Sequence, residues 1–292
     1  MTRDAALTVE VLVEALPYIR EFRGATIVVK FGGNAMVEPE LVQTFAEDIV
    51  LLQSLGIRPV VVHGGGPQIG DVMERFGKQP EFLDGLRVTD EETLEIAGMV
   101  LVGKVNRQIV TAINTHGPLA VGLSGEDGGL IEAAVRDPAL GYVGDVTRIN
   151  AQVLQRLLAE DLIPVVSTIG VDLAAGQAYN INADTAAGAI AAELGAEKII
   201  YLSDVPGLLD DVEMADSLVS RTTPKDLAER IADGRLRGGM IPKVAACLEA
   251  IEGGVASAHL LDGRVLHVLL LELFTDTGIG TMIEDPTLRG ES

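Results

Sequence analysis

Hydrophobic positions recur along this chain with two periods, and the switches between them mark alternating helices and strands. Over residues 8–22, Val9, Leu12, Val13 and Leu16 keep helical spacing among acids, which predicts an amphipathic helix beginning at Thr8. Pro17 lies inside it, removes an N–H and is expected to kink it. Thr26-Ile-Val-Val-Lys30 is then a β-branched run of the kind that forms a buried strand. Residues 40–55 return to the helical period through Leu41, Phe45, Ile49 and Leu52, and stop at Gly56. Pro59-Val-Val-Val-His63 predicts a second buried strand, followed by a helix with Ile69, Val72, Met73 and Phe76 on one face. Thr89-Asp-Glu-Glu92 has the spacing of a capping box and predicts a long helix reaching about Asn114.

The alternation continues to the C-terminus. Strands are expected near 119–123 and 162–168, an alanine-rich helix over 182–194 closed by Gly195, and a strand over Lys198-Ile-Ile-Tyr-Leu-Ser203. Thr223-Pro224 should open a short helix, with proline at the first helical position. A helix over 243–251, a strand over 256–261 and a helix over 265–274 complete the pattern. Strand–helix alternation of this kind predicts an α/β fold: a three-layer αβα sandwich around a mainly parallel open sheet, with the N-terminal helix as an addition. Ligands of such sheets bind beyond the carboxyl ends of the strands. Lys30, His63 and Ser203 all fall there. Segments 125–150 and 204–222, rich in Gly, Asp and Pro, are expected to be hairpins or loops around that rim.

Composition narrows the chemistry. A chain of 292 residues with 48% hydrophobic content can bury a large core. Its 22 basic and 43 acidic residues leave a net charge of −21, which argues against nucleic acid or an anionic membrane as partner. An anionic substrate must therefore meet a few locally concentrated cations. The single cysteine, Cys247, falls in a helical pattern and reads as a small buried hydrophobe in a reducing compartment. No continuous apolar run reaches the ~18 residues of a membrane span, and Met1-Thr-Arg-Asp-Ala does not open a signal peptide; a soluble, cytoplasmic protein is expected.

Candidate cations follow glycines. Lys30-Phe-Gly-Gly-Asn34 puts a lysine at a strand end before two glycines, and His63-Gly-Gly-Gly-Pro67 and Gly238-Gly-Met-Ile-Pro-Lys243 supply a further loop and a second lysine. Glycine turns let backbone N–H groups approach a phosphate while an ammonium sits over it. Gly98-Met-Val-Leu-Val-Gly-Lys104 imitates a P-loop, but Val105 follows the lysine and the stretch lies within a helix. The dinucleotide fingerprint is broken after Gly64-Gly-Gly66, and the acid expected on a ribose is Asp84 or nothing clear. Asn180-Ile-Asn-Ala-Asp184 runs into a helix N-terminus, where Asn182 can cap the helix and Asp184 can steady two ammonium groups. Arg87, in Gly85-Leu-Arg-Val-Thr89, offers a bidentate fork to a substrate carboxylate. No metal-ligand spacing surrounds His63, His116, His259 or His267, and no nucleophile elbow or general base stands out. A carboxylate acceptor, with pKa ~4.3, is already an anion at neutral pH and needs no base.

From about Leu16 to Ile283 these motifs resemble the amino acid kinase superfamily, and most closely its acetylglutamate branch; Gly85-Leu-Arg-Val-Thr and Asn180-Ile-Asn-Ala-Asp carry the narrower likeness. The resemblance implies transfer of the γ-phosphoryl group of MgATP, with Mg2+ bound through the nucleotide, to the side-chain carboxylate of N-acetyl-L-glutamate. It assigns Lys30 and Lys243 to the migrating phosphoryl group, Asp184 to orienting them, and Gly33 and Gly65 to N–H donation. Arg87, Asn180, Asn182, Gly65 and Gly66 would hold the substrate, and Ser203, Asp204, Gly207, Leu208, Met240 and Lys243 the nucleotide. The C-terminal sequence from His259 to Met282 and Leu16-Pro-Tyr-Ile-Arg20 resemble an arginine-inhibited, hexameric subgroup. That likeness assigns Tyr18, Lys198, His267, Glu272, Gly278 and Gly280 to an L-arginine site. It divides the chain into an oligomerisation helix (1–24), a substrate and dimerisation lobe (25–179), and a nucleotide lobe carrying the effector site (180–292). Glu126 stands where such members are expected to carry lysine. Three other readings compete. A kinase for carbamate, aspartate, glutamate or UMP is disfavoured by the Arg87 and Asn180 motifs. A dinucleotide oxidoreductase is disfavoured by the broken fingerprint. A catalytically silent arginine sensor is disfavoured by retention of both lysines and Asp184.

Overall fold

The β-branched runs form strands and the 3.6-period segments form the helices laid on them. The computed structural model describes residues 3–83, 85–211, 214, 217–236 and 240–286. Asp84, Gly238 and Gly239 lie outside the described residues. The chain enters through α1 (Arg3–Phe22), which runs through Pro17 as one element, then β1 (Thr26–Phe31), α2 (Pro39–Ser54), β2 (Arg58–His63) and α3 (Gly66–Arg75). A short hairpin, β3 (Phe82–Leu83) and β4 (Leu86–Arg87), leads to α4 (Glu91–Gly98), a π-helical segment (Met99–Val105) and α5 (Asn106–Asn114). There follow β5 (Ala120–Ser124), β6 (Ile131–Val135), β7 (Val143–Ile149), α6 (Gln152–Ala159), β8 (Ile163–Ser167), β9 (Ile169–Asp172) and β10 (Gln177–Ile181). The remainder is α7 (Ala183–Glu193), β11 (Lys198–Ser203), β12 (Arg221–Thr222), α8 (Pro224–Ala232), α9 (Met240–Glu252), β13 (Ser257–Asp262), α10 (Val268–Leu273) and β14 (Thr281–Glu284).

Eight strands make one sheet in the order β12-β14-β13-β11-β1-β2-β8-β5. Pairing is parallel from β13 to β5, and β14 runs antiparallel to β13 near the other edge. The segment 125–150 supplies β6 and β7 as an antiparallel pair, which closes with β9 and β10 into a small four-stranded barrel. Side chains of the central strands alternate between two apolar layers. Ile27, Val29 and Phe31 join α2 and the α4–α5 run on one face, whereas Val28, Val60 and Val62 join α7 and α9 on the other. The parity decides the chemistry. Lys30 shares the face of Val28 and meets α7, and His63 shares the face of Val61 and meets α5.

Two expected helix starts shift by a few residues, and one expectation about hydropathy is corrected. The N-cap of α4 is Asp90, whose carboxylate accepts the Thr93 N–H at 2.9 Å. Thr89 is buried instead, with its hydroxyl on the Arg87 carbonyl and its backbone bridged to the chain around Gly141. α10 begins at Val268, because His267 takes a left-handed φ of 54° and interrupts the helix. The helical run Glu91–Asn114 has the length and mean hydropathy, 1.3, of a membrane span, contrary to the reading that no stretch does; 56% of that window is buried in the protein itself.

Candidate active site

β1 and β2 run parallel in register, with Lys30 opposite Val62 and Phe31 opposite His63, so their glycine loops leave the sheet side by side. A Cβ on Gly32 would stand 2.5 Å from Lys30 Nζ, so a glycine is what allows the ammonium to fold back over its own loop. Gly33 has φ 71° and abuts the Asp204 carboxylate, 2.6 Å from where a Cβ would lie. A side chain at Gly33 would be strained by its left-handed φ, and one at Gly32 would push the Lys30 ammonium out of place.

Asn182 caps α7, its Oδ1 accepting the N–H groups of Asp184 and Thr185 at 2.9 and 3.1 Å, while the residue also lines the cleft. The cap places Asp184 in the first helical turn, where the helix dipole favours an acid. Lys30 Nζ lies 2.9 Å from Asp184 Oδ1, and Lys243 Nζ, from the first turn of α9, lies 3.5 Å from Oδ2. Burial alone would push the Asp184 carboxyl up, but the two ammonium groups outweigh it and hold it below the ordinary value. Two cations on one acid leave a surplus positive charge at the end of the sheet.

Arg87 reaches the same place from β4. Its Nη2 donates to the Gly66 carbonyl at 2.9 Å, and its guanidinium lies 4.8 Å above the Phe82 ring. Burial lowers its pKa, yet a guanidinium remains charged at any physiological pH. Asn180, next to last in β10, has its Nδ2 3.3 Å from the Thr89 hydroxyl. Arg87 and Asn180 line one cleft of about 270 Å³ with Gly33, Gly65, Gly66 and Asp184. Lys30 lines the cleft too, with Lys243 behind it on Asp184, so an ammonium, a guanidinium and an amide share one cavity suited to anionic ligands.

The residues assigned to a nucleotide divide. Ser203 ends β11 and Asp204 meets Gly33, while Met240 opens α9, half-buried. Leu208 is 1% exposed and gives its N–H to Thr281 Oγ1 at 2.8 Å; Gly207 packs against the same threonine. Those two residues are buried beside β14, and Ser203, Asp204 and Met240 likewise do not line the cleft described above. Glu126 is exposed, accepts from the Ser124 hydroxyl at 3.2 Å and lies apart from the cleft lining.

A second cleft, about 490 Å³, lies between α1 and the C-terminal segment, lined by Tyr18, Glu21, Lys198, His259, Glu272 and Gly278 among others. Lys198 Nζ is 3.1 Å from Ser257 Oγ and 3.4 Å from His259 Nε2, and His259 Nδ1 is 2.7 Å from Glu272. Tyr18 donates to Asp276. His267 is not part of this cleft: its Nδ1 is 2.7 Å from Asp48 on α2. Gly280 contributes indirectly, donating its N–H to Glu272 at 3.2 Å. Sequence reasoning passed over His259. The available signal was a pair of polar residues, Ser257 and His259, at period two in an otherwise apolar strand, beside Lys198 in register.

The model of the amino acid kinase family matches residues 25–262. The chain is 53% identical to an acetylglutamate kinase of Halorhodospira halophila, over 96% of each chain. It is 52% identical to an acetylglutamate kinase of Symbiobacterium thermophilum, over 97% of this chain and 99% of the relative. Among solved structures, an N-acetylglutamate synthase from Neisseria gonorrhoeae complexed with coenzyme A and N-acetyl-glutamate superposes with TM-score 0.83 at 29% identity. That match covers 95% of this chain but 63% of the longer synthase. The same synthase complexed with coenzyme A and L-arginine gives TM-score 0.81, again at 29% identity, over 94% of this chain and 65% of the synthase. A carbamate kinase from Giardia lamblia bound to AMP-PNP shares the fold, with TM-score 0.66 at 18% identity over 90% of this chain and 99% of that one.

Proposed function

Because the chain belongs to the amino acid kinase family, we propose that it transfers the γ-phosphoryl group of MgATP to the side-chain carboxylate of N-acetyl-L-glutamate, giving an acyl phosphate and ADP. The observation that carries this reading is Asp184 bridged between Lys30 and Lys243. Phosphoryl transfer asks mainly for positioning and for neutralisation of charge spreading over the equatorial oxygens. Two ammonium groups kept in register by one acid meet the second need, and the N–H groups of Gly33 and Gly65 add donors. Arg87 and Asn180 hold the unreacting carboxylate of the acceptor, whose reacting carboxylate attacks in line without a general base. Magnesium enters with the nucleotide as counterion of its phosphates. Residues 25–179 act as the substrate and dimerisation lobe and residues 180–292 as the nucleotide lobe.

L-arginine is the proposed feedback inhibitor at the second cleft. Glu21, Glu272 and Asp276 there complement a guanidinium and an α-ammonium, and Lys198 complements a carboxylate. The arginine complex of the synthase at 29% identity supports this reading. Residues 1–24 join dimers into a hexamer. The direct test is hydroxamate trapping of the acyl phosphate with ATP and N-acetyl-L-glutamate, with and without arginine. Trapped hydroxamate that arginine suppresses is expected. None with acetylglutamate, but product with carbamate, aspartate or UMP, would overturn the acceptor assignment.

A further inference from the structure

Phosphoryl transfer as described uses the glycine loop after β2 but not the histidine that begins it. His63 is 0% exposed, at the end of β2, and faces the α4–α5 run. Its Nδ1 lies 2.9 Å from its neighbour's carbonyl, Gly64 O, and its Nε2 lies 3.1 Å from Asn106 Nδ2. A carbonyl can only accept, so Nδ1 carries the proton and Nε2 receives an N–H from the asparagine amide. Asn106 is likewise 0% exposed, and other bonds set its orientation. Its Nδ2 also donates to Val165 O at 2.8 Å, and its Oδ1 accepts from Arg107. Burial, with the Arg107 charge adding to it, pushes the His63 pKa down to about 4, so the ring is neutral at physiological pH.

The consequence follows from peptide geometry. The unit joining Gly64 to Gly65 is planar and trans, so its C=O and N–H point in opposite directions. Pinning Gly64 O to the buried imidazole therefore aims the Gly65 N–H away from the ring, and Gly65 lines the cleft. The Gly64 N–H is held in turn by Phe31 O at 3.3 Å. Leu101 and Val105 press on Gly65 from the π-helical segment, 2.7 and 3.4 Å from where its Cβ would be. π-helical turns inside α-helices gather at functional sites, and this one ends at Val105, directly before Asn106.

Building on the kinase reading, we propose that His63 and Asn106 are positioning residues for phosphoryl transfer: a neutral imidazole, braced by an asparagine amide, orients the Gly64–Gly65 peptide so that its N–H donates to the migrating phosphoryl oxygen. Neither residue touches substrate. Steady-state kinetics on the full chain is the first test. His63→Phe and Asn106→Leu should lower kcat about 10- to 100-fold, less than the roughly 10²–10³-fold lost with an oxyanion donor itself. KM for ATP and acetylglutamate should change less than about threefold, and His63→Gln, which keeps an N–H donor, should recover part of kcat. Unchanged kcat with raised KM would overturn the proposal. The second test needs no folded variant of a buried residue. In 15N-histidine NMR of the wild-type protein, His63 should be the Nδ1–H tautomer and stay neutral down to about pH 5. Its signal is assigned from wild-type spectra by contacts to Asn106 and Gly64. An Nε2–H tautomer or an imidazolium at neutral pH would overturn the clamp. Absence of acyl-phosphate formation by the wild-type protein would instead strike the kinase reading, and the tautomer would still report on the clamp.

Discussion

One carboxylate serving two cations sets the behaviour of individual residues. Lys243 is predicted to act mainly in the transition state, because Arg87 and Asn180 hold the acceptor independently. Lys243→Ala should therefore lower turnover by roughly 10²–10³-fold, about 2.7–4 kcal/mol, with little change in KM for acetylglutamate. Near-normal turnover would remove that lysine from the reaction. Asp184→Asn should behave differently, since Lys30 has a side chain only 9% exposed and would lose its acid. Breaking a buried pair from one side costs about 3–5 kcal/mol. The variant is expected to lose turnover and also to unfold at lower denaturant concentration; an unchanged midpoint would mean that the ammonium does not depend on this acid. Lys30, Asp184 and Lys243 were legible as residue types in glycine-bearing motifs, and Asn182 as a cap. His259 was not, because a histidine inside a strand gives no motif until its neighbours across the sheet are known.

Elements show where local signals compete. The spacing Thr89-x-x-Glu92 matched a cap, but Asp90 took the role because the Thr89 backbone is engaged by the chain around Gly141. At the start of α10, Asp48 of α2 accepts from His267 and from the Leu269 N–H, and burial pushes its pKa up to about 6. The sign follows from the proton count. Between about pH 4 and pH 6 the folded carboxyl binds protons that the unfolded one has released, so this group makes the protein less stable as pH rises through that window. Above it the cost is complete, at most about 3 kcal/mol for a carboxyl raised to about 6. Asp48→Asn should gain on the wild-type protein by up to that amount between pH 4 and pH 8, as read from denaturant midpoints. A gap independent of pH would refute the assignment.

On the scale of the whole molecule, α1 stands out for apolar residues left in solvent: Val9, Val11, Leu12, Val13 and Leu16 are 41–63% exposed. Its other contacts include Tyr18 and Phe22 at the rim of the second cleft. In the hexamer proposed above, a helix with that exposure would pack against another subunit and link assembly to the arginine response. Deletion of residues 1–24 is predicted to reduce a hexamer to dimers in sedimentation velocity and to weaken arginine inhibition. A truncated protein that remained hexameric would sink the proposal that residues 1–24 join the dimers.

Local pattern alone determined β1, β2, β5, β8, β11 and β13, which pair in parallel, most of the helices laid on them, and the loops that carry lysine and glycine, because periodicity and turn chemistry act over neighbouring residues; α6, β9, β10, β12 and β14 were not legible. Which of these met was decided by tertiary structure. Strand parity sends Lys30 to α7 and His63 to α5, and side-by-side packing of α7 and α9 brings Lys243 to the acid that Lys30 already holds. The same packing kept Leu208 in the core and drew His259, not His267, to Lys198. Such meetings join residues far apart in the chain, and their geometry exists only once the sheet register and the helix layers are in place.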